Sequence, residues 1–311
     1  MTATAPPQLP MILEEVVAVR VDRISPSFVR VELGGPALAD FGVEGPLYDQ
    51  RVKLVFPAER GLPSVAGADG TWLATWRQRP VEKRGHMRTY TAREVRGSGR
   101  DTRLVVDFVL HEADGTAGPG SAWAAAARVG DRVVVLAPRR GCAFGGIEFV
   151  PAPAGRVLVA GDETAVPAAA GILAGLPPHT RGAVFLEVPV TADVQRLVGP
   201  PGVEVVWLPR DGAPLDSLLG PAVLAHLGAG SAIEEPAEVD PDLWETPSYS
   251  SSGEPVATVP AGRSSHLDDL YAWIAGEAGV VTALRRVLVR QLGMDRRQVA
   301  FMGYWRRGVA G

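Results

Sequence analysis

Residues 151–162 read Pro-Ala-Pro-Ala-Gly-Arg-Val-Leu-Val-Ala-Gly-Asp, and this stretch separates two halves of the chain that follow different patterns. Arg156–Ala160 is apolar after its first residue, which is typical of a strand covered on both faces. A short turn and then an alanine-rich helix, which ends at about Leu173, are predicted after this strand. Two more buried strands are predicted at Ala183–Val188 and Val203–Leu208. Strand, helix and strand in this order predict a parallel α/β sheet.

The half before this stretch alternates apolar and polar residues over short segments. Alternation with a period of two, rich in β-branched residues, indicates half-buried antiparallel strands. The predicted strands are Val17–Ile24, Phe28–Leu33, Arg51–Phe56, His86–Arg93, Arg103–His111 and Arg132–Leu136, with one short helix at Ser121–Ala127. Six such strands predict a closed or nearly closed β-barrel. The expected domains are therefore a barrel at residues 12–152 and an α/β domain at residues 153–311.

The end of the chain returns to regular structure after an unusual segment. Residues 228–265 contain seven acidic residues, five prolines and only one basic residue, Arg263. Low hydrophobicity with one sign of charge predicts a mobile insertion. A strand at Tyr271–Ala275, an amphipathic helix at Val280–Leu292 and a last strand at Gln298–Tyr304 are then expected, with Gly293 ending the helix.

Composition excludes several classes of protein. The chain has 311 residues and a net charge of −4, which suits two domains and gives no general attraction to nucleic acid. Its one cysteine, Cys142, excludes an internal disulfide, and its five histidines have no metal-ligand spacing. The N-terminus lacks the features of a signal peptide, and no apolar stretch is long enough to cross a bilayer. A soluble, cytoplasmic, monomeric protein is expected, without nucleic acid, membrane or bound metal.

Two short sequences in the barrel half suggest a ligand. In Arg88-Thr-Tyr-Thr-Ala-Arg93 a strand would turn Arg88 and Tyr90 to one face and the two threonines to the other. In a ligand, the arginine would suit a pyrophosphate, the aromatic ring a flat ring system, and the hydroxyl a ring nitrogen. The alternative interpretation is an ordinary strand with no ligand. In Gly118-Pro-Gly-Ser-Ala-Trp-Ala124 a glycine-rich loop opens a helix, where free N–H groups bind phosphate. The alternative there is a plain turn with Ser121 as N-cap.

A third sequence, Gly161-Asp-Glu-Thr-Ala-Val-Pro-Ala168, follows a buried strand at the position where α/β sheets bind ligands. It is not the Gly-x-Gly-x-x-Gly fingerprint of dinucleotide-binding domains. Adjacent residues rarely face each other, so Asp162 and Glu163 are not expected to work as an acid/base pair. His111 at the end of a strand is either a cofactor contact or an ordinary half-buried histidine.

Together these sequences resemble the FAD-binding siderophore-interacting protein family. Two C-terminal sequences, Trp273-Ile-Ala-Gly-Glu-Ala278 and Gly303-Tyr-Trp-Arg-Arg-Gly308, are similar to the same family. The resemblance is colinear from about Val16 to Gly308, whereas the barrel motif alone fits the wider ferredoxin-reductase-like superfamily. The acidic segment 228–265 is longer than the resemblance leads one to expect.

The resemblance implies a six-stranded barrel that holds FAD, followed by a nucleotide-binding α/β domain. It implies that Arg88 pairs with the FAD pyrophosphate, that Tyr90 lies against the flavin, and that Thr91 hydrogen-bonds near the reactive nitrogen. The other implied cofactor contacts are Thr89; Asp107, Val109 and His111 along the ribityl chain and ring edge; Gly118, Ser121 and Trp123 around phosphate and adenosine; Asp162, Glu163 and Thr164 where nicotinamide meets flavin; and Tyr304 or Trp305 over the other flavin face.

The implied reaction is FAD-dependent reduction of a ferric siderophore, with electrons from NADH, NADPH or reduced ferredoxin and with no catalytic side chain. Flavin connects two-electron and one-electron chemistry, and reduction weakens the hold of hard oxygen ligands on iron. Because ferric siderophores are commonly anionic, a basic clamp is expected from Lys53, Arg306, Arg139 and Arg140; each arginine is otherwise a solvated surface charge. The residues that discriminate between donors are sought among Arg181, Arg210 and Glu187.

Two alternatives remain open at this point. The first is a general NAD(P)H-dependent flavin or ferric reductase without preference for siderophores. The second is a non-catalytic iron-chelate-binding protein whose FAD is structural. Turnover with NAD(P)H and a ferrous trap separates the carrier from either enzyme, and a comparison of acceptors separates the two enzymes.

Overall fold

The computed structural model describes residues 9–110, 117–151, 155–229, 244–245 and 266–308. Within these ranges no helix is both long and apolar enough to cross a membrane. His111 and almost all of the acidic segment 228–265 lie outside the described residues, as does the expected domain boundary at 152–153.

The first half forms a strongly curled antiparallel sheet. Its strands are β1 (Met11–Ser25), β2 (Phe28–Gly34), β3 (Arg51–Phe56), β4 (His86–Thr91), β5 (Glu94–Arg96), β6 (Arg103–Val109) and β7 (Arg132–Pro138), in the spatial order β4-β3-β7-β1-β2-β6-β5. The two end strands are joined only by Ala92 and Arg93. The Ala92 N–H donates to the Gln50 carbonyl, whereas the Arg93 N–H donates to Val105. The chain thus changes partner within two residues, which brings the two edges of the sheet together.

All six predicted strands of this half occur, and the barrel-like fold is confirmed. The strand count is seven because the predicted strand His86–Arg93 ends at Thr91 and a separate strand, β5, follows. Alternation cannot show a change of pairing partner, since the side chains keep alternating through the bend. β1 is also longer than predicted and begins at Met11, because its first half pairs with β7 and its second half with β2.

Residues 57–85 form a small lobe on the outside of the barrel that was not predicted from the sequence. It contains α1 (Trp72–Gln78) and α2 (Val81–Arg84). The rings of Trp72 and Trp76 stack with centroids 6.2 Å apart and pack on apolar residues of β1, β3 and β7. The Trp76 indole N–H donates to the Arg84 carbonyl at 2.6 Å, which ties the two helices together. A third helix, α3 (Pro119–Ala126), covers the barrel beside β4.

The second half is a mainly parallel sheet. Its strands are β8 (Arg156–Gly161), β9 (Arg181–Val188), β10 (Gly202–Pro209), β11 (Trp244–Glu245), β12 (Leu270–Glu277) and β13 (Val299–Trp305), in the order β10-β9-β8-β12-β13-β11. All pairs are parallel except β11 with β13. The predicted α/β fold is therefore confirmed.

The helices of this half lie on opposite faces of the sheet. α4 (Val166–Gly175), which follows β8, packs in one apolar cluster. α5 (Leu219–His226) and α6 (Ala278–Arg286), which follow β10 and β12, pack in another. Neighbouring strands β8 and β12 thus send their helices to opposite faces, which opens a crevice between their carboxyl ends. The predicted helix Val280–Leu292 is α-helical only to Arg286 and continues as a π-helical turn, Val287–Gln291.

Two buried carboxylates hold the two halves together. Asp49 accepts the N–H groups of Glu148 and Phe149 and, at 3.0 Å, the indole N–H of Trp273 on β12. Asp193, beyond β9, accepts the Ser27 N–H at 2.9 Å and the hydroxyls of Ser25 and Ser27 in the β1–β2 turn. These bonds fix the orientation of the barrel against the parallel sheet.

Close backbone packing adds a third contact between the halves. Tyr48 has a positive φ of 44°, and its carbonyl lies against α4, where a Cβ on Gly171 would come within 2.1 Å of the carbonyl oxygen. Only glycine permits this approach. Cys142, the one cysteine of the chain, is exposed in the turn after β7.

Candidate functional site

The register of β3 with β4 sets the direction of the Arg-Thr-Tyr-Thr side chains. Leu54 pairs with Arg88 and Val52 with Tyr90, so Arg88 and Tyr90 share the face that continues into the barrel core. Thr89 and Thr91 lie on the other face, as alternation predicts. Arg88 is half-buried, and this burial lowers the pKa of its guanidinium. Its Nη1 donates to the Met87 carbonyl at 2.8 Å.

Tyr90 stands in a cluster of aromatic rings. Its ring centroid lies 4.6 Å from that of Phe108 and 5.8 Å from that of Phe56. The Trp123 ring of α3 lies 5.4 Å from Phe56 and 5.5 Å from Phe108. Burial raises the pKa of the Tyr90 hydroxyl above its ordinary range. The four rings form one aromatic cluster, called the ring wall below: Phe56, Tyr90, Phe108 and Trp123. The expected contact of Trp123 with adenosine stays a prediction.

The start of α3 meets the tip of Tyr90. A Cβ on Gly120 would lie 1.8 Å from the Tyr90 hydroxyl oxygen, so only glycine allows this contact. Gly118 is the N-cap and no side chain caps the helix start, so the alternative of a Ser121 N-cap is wrong. An uncapped helix start with N–H groups in its first turn is suited to an anion.

Thr91 lies where the two halves meet. It is 7% exposed, and the Tyr304 hydroxyl of β13 is close enough for Thr91 to lower the tyrosine pKa. Burial, followed by the charge of Asp49, nevertheless raises the pKa of Tyr304 overall. The two hydroxyls do not reach hydrogen-bond geometry, and the buried Tyr304 oxygen has no partner among the described residues. A buried hydroxyl without a hydrogen-bond partner, next to Thr91, is suited to a hydrogen bond with the polar edge of a flavin.

Asp107 is a buried carboxylate of β6 that is paired with arginines. Its side chain is wholly buried, and Arg30 binds both carboxylate oxygens at 2.7 Å; Arg93 lies 3.8 Å away. Asp107 thus anchors Arg30 and Arg93, and its expected place beside the ribityl chain stays a prediction. Val109 pairs with Phe28 and packs against the core of the second half, as Tyr304 does, and its expected contact with the flavin stays a prediction.

Asp162 closes the crevice between β8 and β12. Its Oδ2 accepts the Glu277 N–H at 2.7 Å and the indole N–H of Trp305 at 2.8 Å. Its Oδ1 accepts the N–H of Thr164 at 2.8 Å and the hydroxyl of the same residue. Burial, reinforced by the charge of Glu163, raises the pKa of Asp162 to about 6. Asp162 therefore positions Trp305, next to Tyr304 on β13.

Of the three residues considered for choice of donor, Arg210 and Glu187 are engaged by other groups, and the role of all three stays a prediction. Arg210 lies between two buried carboxylates, 3.0 Å from Glu163 and 3.3 Å from Glu187. Glu187 also accepts the N–H groups of Asp216, Leu218 and Leu219 ahead of α5. Arg181 begins β9 and so lies at the amino end of the strands, opposite the ligand-binding edge. Sequence spacing could not show these contacts, which join turns 20 to 50 residues apart.

The residues expected to form a basic clamp fall into two groups. Lys53 donates to the Thr89 hydroxyl at 3.0 Å. Partial burial, then Arg51 and Arg77, lowers the pKa of Lys53. Arg306 is half-buried and has no hydrogen-bond or ion-pair partner for its side chain in the described part of the chain. These two cations are available to an anion.

Arg139 and Arg140 already have partners within the barrel half. Arg139 pairs with Asp40 at 2.5 Å and donates to the Leu9 carbonyl at 2.9 Å, which fastens the start of β1. Arg140 donates to the Phe41 carbonyl at 3.0 Å. In this structure both side chains hold neighbouring backbone, and their part in a basic clamp stays a prediction.

Arg77, on the lobe helix α1, is a cation that sequence reasoning missed. It is exposed and near enough to Lys53 to lower the lysine pKa. No signal in the sequence placed residues 57–85 beside β3. Among the described residues, no group of three or more His, Cys, Asp or Glu side chains is arranged to hold a metal ion.

The chain matches two sequence models from one family. The siderophore-interacting FAD-binding domain matches residues 17–142, and the siderophore-interacting protein domain matches residues 154–308. The NADPH-dependent ferric-chelate reductase of Escherichia coli is 30% identical over 94% of this chain and 92% of its own length. The ferric vibriobactin reductase of Vibrio cholerae is 28% identical over 93% of this chain and 88% of its own.

Solved structures extend the comparison. A siderophore utilization protein from T. fusca is 30% identical, with a TM-score of 0.67 and coverage of 97% of this chain and 95% of that chain. A ferredoxin reductase of carbazole 1,9a-dioxygenase shares the fold at 18% identity, with a TM-score of 0.56 and coverage of 96% and 71%. The ring wall, the uncapped helix start and the Thr91–Tyr304 junction lie within these matches, and the chain belongs to the siderophore-interacting protein family, with an FAD-binding barrel and a ferredoxin-reductase-like fold.

Proposed function

We propose that the protein reduces ferric siderophores to release ferrous iron, passing electrons from NADH or NADPH through FAD. The observation that carries this proposal is the junction of Thr91 with the unpartnered Tyr304 hydroxyl. Here a buried polar group from each half of the molecule meets, at the residue that directly follows Tyr90 in β4. Bound FAD supplies the exchange between a two-electron hydride and single electrons.

The protein's own task is then to bind and orient. In this proposal Arg88 and the uncapped start of α3 hold the FAD pyrophosphate, since each supplies positive potential next to Tyr90. Tyr90 lies against the ring system, and the Thr91 and Tyr304 hydroxyls hydrogen-bond its polar edge. Trp305, fixed by Asp162, keeps water from the same edge.

The substrate class follows from the family and from charge. The family interacts with siderophores, and two relatives are named as reductases of ferric chelates. Lys53, Arg77 and Arg306 provide cations for an anionic chelate. No side chain has to act as acid, base or nucleophile, because electron transfer needs only orientation and closeness. A cytoplasmic location, a monomeric state and use of reduced ferredoxin stay predictions.

Anaerobic stopped-flow spectroscopy on the FAD-loaded protein tests the proposal. NADH or NADPH should bleach the oxidised-flavin band near roughly 450 nm, and a ferric siderophore should restore it while a ferrous chelator traps iron. Restoration by free flavin or simple ferric salts at equal rates would favour a general reductase. Absence of bleaching with both nucleotides and with reduced ferredoxin would favour an iron-chelate carrier.

Lys53→Ala and Arg306→Ala test the basic clamp. Each should raise the Michaelis constant for an anionic ferric siderophore by about tenfold, as expected for loss of one close charge–charge contact, without loss of FAD. The matched control is Arg100→Ala, which removes an exposed cation from the β5–β6 turn. Equal effects of all three changes would show that net charge, and not these two positions, sets the affinity.

A further inference from the structure

The crevice between β8 and β12 is the place where open α/β sheets hold the pyrophosphate of a dinucleotide. There the N-termini of two helices on opposite faces offer free N–H groups and positive potential to the phosphates. In this protein Asp162 is the N-cap of a 3-10 turn, Glu163–Ala165, that leads into α4, and Glu277 is the N-cap of α6. Each of these residues caps its own helical segment with its own carboxylate.

The caps occupy the groups that a phosphate would use. Asp162 accepts the Thr164 N–H at 2.8 Å. Glu277 Oε2 accepts the N–H groups of Gly279 at 2.7 Å and Val280 at 3.0 Å, and its other oxygen accepts the Arg307 N–H at 3.2 Å. Protein anions thus already fill both positions where a ligand anion would bind.

The crevice is also closed sterically. The bond from the Glu277 N–H to Asp162 spans the gap between the two strand ends. Gly276 has φ +147°, and a Cβ at this position would lie 2.6 Å from Asp162 Oδ2. The backbone of β12 therefore touches the carboxylate directly, with no room between them for a phosphate group.

The carboxylates of the crevice also disfavour a bound phosphate group through their charge. Arg210 offsets Glu163 and Glu187. Asp162 and Glu277 have no ion-pair partner in the described part of the chain. A pyrophosphate brought to this edge would meet two uncompensated carboxylates, and at close range in a partly buried site such repulsion is strong.

We infer that Asp162 and Glu277 select against the pyrophosphate of a pyridine dinucleotide, so that the donor is recognised through its nicotinamide riboside end alone. This inference rests on the proposed pyridine nucleotide donor. It makes the two carboxylates specificity-determining residues: NADH, NADPH and reduced nicotinamide mononucleotide become nearly equivalent donors, because the parts that distinguish them make no contact in the crevice.

ADP-ribose, which carries the pyrophosphate but no nicotinamide, provides a test that is independent of turnover. Isothermal titration of the FAD-loaded wild-type protein should show no saturable binding at millimolar concentration. Asp162→Asn and Glu277→Gln each remove a charge and replace one accepting oxygen by an NH2 group, which also loosens the bonds that close the crevice. Each should therefore show saturable binding of ADP-ribose at millimolar concentration, where the wild type shows none, and absence of binding to both variants would overturn the inference. Glu204→Gln, an exposed change of equal charge on β10, should show no such binding.

A second measurement uses the wild type only. Reduced nicotinamide mononucleotide and NADH should reduce the flavin with second-order rate constants within about threefold of each other, since the remaining half of NADH adds no binding energy. An advantage of NADH above about tenfold, or micromolar binding of ADP-ribose to wild type that the two variants weaken, would overturn the inference. If neither donor reduces the flavin, the proposed donor is wrong, and the ADP-ribose titration of the variants still decides the role of the carboxylates.

Discussion

Asp162 joins three segments that lie far apart in the sequence. It belongs to the turn after β8 and binds the end of β12 and the indole of Trp305. Its turn and its position at the carboxyl edge follow from the sequence, because an apolar strand followed by a helix places the intervening residues there. Its partner Trp305, 143 residues away, does not, since nothing in local spacing reports which distant N–H will reach a carboxylate.

The pH dependence of stability provides a prediction for this residue. The groups that face Asp162 are Glu163 and Thr164 on its own turn, Glu277 on β12 and the neutral Trp305 on β13. Burial raises its pKa to about 6, so the folded protein holds the proton more tightly than the unfolded chain. Stability from this group is therefore fully present below the unfolded pKa and is lost as pH rises through about 6.

Denaturant unfolding of wild type and Asp162→Asn, at intervals from about pH 4 to 7.5, measures this effect. The wild type should lose stability relative to the variant as the pH rises, with most of the change between about pH 4 and 6.5. The difference between the proteins isolates Asp162 from groups that both share. A difference that stays constant with pH, or that moves in the wild type's favour, would contradict the raised pKa.

At the scale of elements, the sequence predicted the regular strands but missed the places where the hydrogen-bonding pattern changes. Alternation located the long strands of the barrel, and apolar runs located those of the parallel sheet. β5 was missed because the partner change at Ala92 leaves no mark on the alternation. The π-helical turn after Arg286 was missed for a similar reason, since its apolar residues continue the helical pattern while the hydrogen bonds change. The lobe at 57–85 was missed altogether.

The contact of α3 with β4 gives a prediction for two elements together. Gly120→Ala would place a methyl group against the Tyr90 hydroxyl and push the helix start away from the strand. We expect a loss of about 1–3 kcal/mol in the free energy of unfolding, as for other overpacked positions, and weaker retention of FAD. Denaturant unfolding and the flavin absorbance after gel filtration measure the two effects.

Tyr90→Phe added to Gly120→Ala provides the diagnostic control. Removing the hydroxyl removes the atom closest to the new methyl group, so the double variant should recover part of the lost stability. Gly70→Ala, at a glycine with open space around it, should change stability little. Simple addition of the two single effects would mean that the helix start and Tyr90 are not in contact.

For the whole molecule, the sequence predicted an antiparallel barrel followed by a parallel sheet, as the structure has them, but not how the two halves are joined. The change of pattern near residue 151 shows where one sheet gives way to the other. The joining residues, Asp49 and Asp193, carried no signal, because a lone aspartate in a loop is ordinary and its partners lie in the other half. The junction of Thr91 with Tyr304 depends on this arrangement, since it needs both sheets at a fixed orientation.

Asp49→Ala tests the arrangement. Asp49 is fully buried, and its removal leaves the N–H groups of Glu148, Phe149 and Trp273 without their acceptor. Each unsatisfied donor costs about 1–3 kcal/mol, so the two halves should unfold in two separate calorimetric transitions at lower temperature instead of together.

The control is Asp211→Ala, which removes an exposed carboxylate that bonds Thr191 within the second half. It should keep the unfolding profile of the wild type with a small loss of stability. Identical profiles for both variants would show that Asp49 does not hold the halves together.

The exposed Cys142 makes the protein ready for electrochemistry without further engineering. As the chain's one thiol, it offers a single point of attachment to a gold or maleimide surface, so every molecule would be fixed with the same side toward the electrode. Because Asp49 and Asp193 hold both sheets in one orientation, fixing the barrel also fixes the parallel sheet. A film of such molecules would be uniform, and its voltammogram would describe one population of redox centres instead of a mixture of orientations.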